Sequence, residues 1–257
     1  MNSEAPKEVG DEAIDLLLAP GLDGTGKLFV WLTQALPSAH FTPRVLAYPD
    51  ALRSMDDHTA HLREACQQER PFILLAESFS GPVTQELLRQ TPLPHCRGLI
   101  FLASFATSPW PRMLRLVCHR AARPLLNMPP PPVWAIKAVM LGQNPQQPPQ
   151  AIPLTRAINA QQPPETLLAR LQILRDLHHP PAPLPANLPP TLIIQAKADR
   201  LVPAKATQHL RDLLPRARHT TLPGAHLLAQ HSPQAVADTI TRWWQDQETS
   251  LAQNKQS

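Results

Sequence analysis

The chain has 257 residues, 43% of them hydrophobic and 17% charged, with a formal net charge of +4 and a pI near 9.3. That length suits one buried core carrying an insertion. The small net charge, with no polybasic run and no interleaved aromatics, argues against a nucleic-acid binder, and no 18-residue apolar run suggests a membrane span.

The opening residues Met1 to Glu8 are partly acidic and lack an apolar stretch, so they do not read as a secretory signal. The first strand is expected over 14–19, a short apolar run ending in Pro20-Gly21-Leu22-Asp23-Gly24-Thr25-Gly26. A helix is expected near 27–36. The spelling from Gly21 to Lys27 mimics a phosphate loop, but Leu28 stands where a hydroxyl must hold Mg²⁺, and Asp23 would place a negative charge in the cradle. A strand near 44–48 and a helix near 54–69 come next. The run 72–77 is β-type and ends at Glu77-Ser78-Phe79-Ser80-Gly81, where an α-type run over 81–90 begins. A strand near 98–104 follows.

From 106 to 186 the alternation stops. This stretch is proline-rich and has no good strand. Its helical pieces carry apolar stripes, one through Trp110, Met113, Leu114, Val117 and Ala121, another through Leu167, Leu168, Leu171 and Leu174. Between 107 and 185 there are eight Arg and Lys against two acids, a surplus read as the solvated face of short helices. The rhythm resumes with a strand over 191–196, then Lys197-Ala198-Asp199-Arg200, a helix over 204–214, a strand over 218–222, Pro223-Gly224-Ala225-His226, and a helix over 233–247. Residues 248–257 are polar and are expected to fray.

Alternating strands and helices indicate an α/β fold with a mostly parallel central sheet flanked by helices. The expected organisation is a core made of 1–105 and 187–257, with 106–186 as a proline-rich helical cap. Ser78, Asp199 and His226 each fall just past the carboxyl end of an expected strand, where α/β sheets collect their sites. A serine hydroxyl needs a base to become a nucleophile, an imidazole supplies one, and a carboxylate fixes that imidazole's tautomer. A serine at a strand-to-helix turn also faces main-chain N–H groups; those of Phe79 and Leu22 are the candidate oxyanion donors. Cys66, Cys96 and Cys118 are odd in number and lack metal spacing, so they are expected as free thiols in a reducing, cytoplasmic setting. The eleven histidines form no carboxylate-backed ligand pair, and neither metal nor cofactor is expected.

These motifs, Pro20-Gly21-Leu22-Asp23-Gly24, Ala76-Glu77-Ser78-Phe79-Ser80-Gly81, Asp199-Arg200-Leu201-Val202-Pro203 and Gly224-Ala225-His226, together resemble the α/β-hydrolase superfamily in its compact bacterial form with a lid. The order Ser, Asp, His is that superfamily's order. The nucleophile motif departs from G-x-S-x-G at Ala76 and Ser80, and the oxyanion loop begins Pro-Gly where many members have His-Gly. Serine at the nucleophile position separates the chain from relatives that use aspartate there. The resemblance implies a serine hydrolase cleaving a small-molecule carboxylic ester or thioester, with an apolar acyl part, through an acyl-enzyme on Ser78. An acyltransferase using the same residues and a non-catalytic small-molecule binder on the same scaffold are the alternatives.

Overall fold

The computed structural model describes residues 13–119 and 151–255. Its centre is a six-stranded, all-parallel sheet in the order β2-β1-β3-β4-β5-β6. The strands are β1 Ile14–Ala19, β2 Phe41–Val45, β3 Phe72–Glu77, β4 Cys96–Leu102, β5 Thr191–Ala196 and β6 Arg218–Leu222. The helices are α1 Val30–Ala35, preceded by a 3₁₀ turn at Lys27–Phe29, then α2 Met55–Cys66, α3 Ser80–Gln90, α4 Pro111–Val117, α5 Ala151–Gln161, α6 Pro164–Arg175, α7 Ala204–Leu213, α8 Leu228–His231 and α9 Pro233–Lys255.

The central strands read as unbroken apolar runs because both of their faces are covered. Alternate residues point to opposite sides. Leu17, Leu74, Phe101 and Ile193 pack with Leu62, Val83, Leu87 and Leu210 from α2, α3 and α7. Leu16, Leu18, Ile73, Ile100 and Ile194 pack with Phe29, Leu32, Val236, Ile240 and Trp243 beneath α1 and α9. All of these are buried.

Several boundaries differ from the sequence reading: β4 runs over Cys96–Leu102, not 98–104, and α2 ends at Cys66, not 69. β2 lies at 41–45, not 44–48, because Phe41 pairs with Ile14 at the start of β1. Pro43 falls inside it, which an edge strand tolerates, and the apolar Val45 to Tyr48 run leaves the sheet after Leu46 N–H donates to Leu18 O at 3.0 Å. The last helix continues to Lys255 instead of fraying after 247. Ala121 and the rest of the proline-rich stretch from 120 to 150 lie outside the described residues.

From β1 the chain steps outward to β2, crosses back over β1 to β3, and then proceeds in the other direction. The strand order therefore reverses between β1 and β3, and the loops leaving their carboxyl ends diverge around a crevice. Pro20–Gly26 leaves one and Ser78 leaves the other.

Candidate active site

Ser78 occupies the turn between β3 and α3 with φ of 46°, a left-handed conformation unusual for a residue with a side chain. Several contacts hold it there. Its N–H donates to Leu102 O at 2.9 Å, and its carbonyl accepts from Gly81 N–H at 3.0 Å and from Ser104 Oγ at 2.9 Å. Gly81 is required by space: a Cβ there would land on the Ser104 side chain. Small volume is therefore needed one residue later than the second glycine of the usual elbow spelling.

Ser80, which stands in that glycine's place, is fully buried and uses its hydroxyl. Tyr48 OH lies 2.7 Å from Ser80 Oγ, and Ser80 Oγ donates to Pro20 O at 2.5 Å. The serine turn is thus tied directly to the loop after β1. Burial pushes the Tyr48 phenol's pKa up, so it remains a neutral donor.

The structure brings Ser78, His226 and Asp199 together. Ser78 Oγ is 2.9 Å from His226 Nε2, and His226 Nδ1 is 2.8 Å from Asp199 Oδ2. The His226 and Asp199 side chains are 6% and 10% exposed, so water competes little for their contact. Asp199 divides its oxygens: Oδ1 accepts the Leu201 and Val202 N–H groups at 2.9 and 2.8 Å, leaving Oδ2 to the imidazole. It closes its own turn and faces the histidine at once. The two loops are zipped by Lys197 N–H to Leu222 O and Ala198 N–H to Gly224 O, both at 2.9 Å.

Phe79 follows Ser78 on the turn between β3 and α3, and Leu22 lies on the loop after β1, which Ser80 Oγ ties to that turn through Pro20 O. Among the described residues, neither main-chain N–H has a hydrogen-bond acceptor. The Phe79 side chain is buried against the edges of the Tyr48 and His58 rings.

Sequence reasoning passed over three side chains here. Glu77, beside the serine, is buried, and its Oε1 accepts from Gln230 Nε2 at 3.2 Å. Burial, with Asp23 adding to it, pushes its carboxyl up to about 7, against the pull of Gln230, His226 and the Gly21 N–H. Tyr48 looked like the end of a strand. Arg170 belongs to the charges of 107–185 expected on a solvated face, and the structure instead buries it fully. An arginine on a helical stripe gives no sign of its partners when they lie almost 150 residues away.

Among the described residues, no group of three or more His, Cys, Asp or Glu is placed to hold a metal ion. Cys66, Cys96 and Cys118 are free and buried, and burial pushes the first two thiols to about 12. No described helix is long and apolar enough to cross a membrane. A cavity of about 590 Å³ lies at the opposite, amino-terminal edge of the sheet, between Leu88, Pro94, Asn187 and Arg216, and its lining contains no serine, histidine or cysteine.

A family model described as the alpha/beta hydrolase family matches residues 11–239. The chain belongs to that family. No curated protein matches its sequence. Solved structures with the same fold include an esterase from Exiguobacterium antarcticum, with a TM-score of 0.75 and 12% identity over 91% of this chain and 92% of that one. A bromoperoxidase from Bacillus anthracis has a TM-score of 0.70 and 13% identity over 91% and 92%. An enol-lactonase from Burkholderia xenovorans has a TM-score of 0.70 and 16% identity over the same shares. At these identities the likeness speaks for the fold.

Proposed function

We propose that the protein is a serine hydrolase that cleaves a carboxylic ester or thioester of a small molecule through an acyl-enzyme on Ser78. The observation that carries this reading is the unbroken Ser78–His226–Asp199 hydrogen-bond chain, with both links under 3 Å and the serine on a left-handed turn. His226 Nε2 takes the hydroxyl proton as Oγ attacks the acyl carbon. The Nδ1–H donates to Asp199, which fixes the tautomer and supports the imidazolium. The Leu22 and Phe79 N–H groups receive the oxyanion, each donor being typically worth on the order of 3 kcal/mol of barrier. His226 then protonates the departing alkoxide or thiolate. Water attacks the acyl-serine, gives its proton to His226, and the acid leaves as the proton returns to Ser78 Oγ. The helices between 106 and 186 act in this reading as a cap over the serine. Trp110, just before α4, and Met113 on it are exposed apolar side chains and favour an apolar acyl part.

The test is a panel of p-nitrophenyl esters of varied chain length together with acyl-thioesters. On the best substrate, Ser78→Ala is expected to abolish turnover, and Asp199→Asn to lower kcat by about 10²–10⁴-fold with the fold intact. Full activity in either folded variant contradicts the reading.

A further inference from the structure

The loop that carries Leu22 is held by its carbonyls. Pro20 O accepts from Ser80 Oγ at 2.5 Å, Gly21 O from Gly24 N–H at 3.1 Å, and Gly24 O from Tyr48 N–H at 2.7 Å. The two carbonyls between are taken by side chains from the inserted stretch. Arg170 Nη1, on α6, donates to Leu22 O at 2.9 Å and to Asp23 O at 2.8 Å. Gln162 Nε2, between α5 and α6, donates to Leu22 O at 3.1 Å. Arg170 Nη2 also donates to Tyr48 O at 3.2 Å. Every carbonyl from 20 to 24 is therefore occupied, while the Leu22 N–H has no acceptor among the described residues.

Arg170 is an expensive residue to bury, since a charged group leaves water only where donors and acceptors replace it. Burial draws its proton affinity down, and Asp23 and Asp50 draw it back up. Among the described residues no carboxylate forms a direct ion pair with it; three main-chain oxygens accept from its Nη1 and Nη2 instead. The loop is shaped to receive it. Gly24 has φ of 70°, and a Cβ there would land on the guanidinium.

We propose that Arg170, assisted by Gln162, is a positioning residue that fixes the aim of the Leu22 N–H, so that the insertion supplies part of the oxyanion machinery as well as a cover. The proposal rests on the reading of Leu22 as an oxyanion donor. The Leu22 N–H shares a peptide plane with Gly21 O, and the next plane ends in Leu22 O, the atom that Arg170 and Gln162 hold. Turning the N–H away breaks at least one of these bonds. A donor fixed before reaction costs no reorganisation when the negative charge develops, so losing the clamp weakens binding of the transition state more than binding of the substrate.

The experiment measures kcat, KM and Tm for Arg170→Met, Arg170→Lys and Gln162→Ala on the best ester of the panel. Arg170→Met is expected to lower kcat at least about tenfold with KM within about twofold, and Arg170→Lys to keep part of the lost rate. A trifluoromethyl ketone, whose adduct with Ser78 carries the oxyanion, is expected to lose affinity by about the same factor as kcat, while the product acid binds as before. A folded Arg170→Met with wild-type kcat, or with its loss confined to KM, overturns the proposal. Should Arg170→Met not fold, Gln162→Ala at its half-exposed position decides: an unchanged kcat overturns the proposal, and a kcat at least about threefold lower at unchanged KM supports it. Full activity in Ser78→Ala would instead contradict the hydrolase reading itself.

Discussion

The Glu77 carboxyl lies inside the protein beside Gln230, His226, Asp23 and the Gly21 main chain. A carboxylic acid in that setting holds its proton to about 7, well above its ordinary value of 4.5. The folded state then binds more protons than the unfolded chain between those two values. Stability from this group is complete below pH 4.5 and is lost as pH rises through 7. Glu77→Gln keeps the shape and removes the titration. The wild type is expected to lose up to about 3 kcal/mol relative to Glu77→Gln as pH rises from 4.5 through 7, and no more above it. Urea unfolding of both proteins across that range checks this; a difference independent of pH contradicts it. The motif displayed Glu77 in plain view beside Ser78, yet a motif names neighbours along the chain. What makes this carboxyl unusual is its burial, with Asp23 some 50 positions earlier adding to it, and neither is recorded in the letters beside it.

The joint between β3 and α3 is defined by close approach as much as by the serine. Gly81 lies against Ser104, from the segment after β4, and Ser104 in turn holds the Ser78 carbonyl. Gly81→Ala forces the helix away from that segment, with an expected cost of about 1–3 kcal/mol. The second change Ser104→Gly reopens the space and is expected to recover part of that stability, though not the bond to Ser78. Chemical unfolding of the two single variants and the double variant measures the coupling. Simple additivity would show that the two positions do not compete for one volume. The strands β1, β3, β5 and β6 were legible to the residue, because each is a short run bounded by turn residues. β2 was not. Its edge position lets Pro43 sit within it, and the more strand-like apolar residues beyond it serve the loop instead.

Across the whole molecule, the reversal of strand order between β1 and β3 opens the crevice, and the next loops along the sheet bring Asp199 and His226 to the same edge. Ser78, Asp199 and His226 were readable as separate strand-end residues, because each announces itself in six or seven neighbouring letters. Arg170, Tyr48 and Ser80 were not, because their bonds to the Pro20–Gly24 loop bridge 24 to 148 positions and no local pattern records them. Nor did composition separate the buried Arg170 from the other charges of the insertion. Only packing does that, through the desolvation that each surface charge avoids. The account depends on Ser78 being made nucleophilic by His226. Its most direct test is the mass of the intact protein after exposure to a fluorophosphonate, followed by peptide mapping. One phosphonyl adduct on Ser78 is expected in the wild type, none in Ser78→Ala, and a labelling rate lower by at least about 10²-fold in a folded His226→Ala. A folded wild-type protein that stays unlabelled, or that is labelled equally fast without His226, would contradict it.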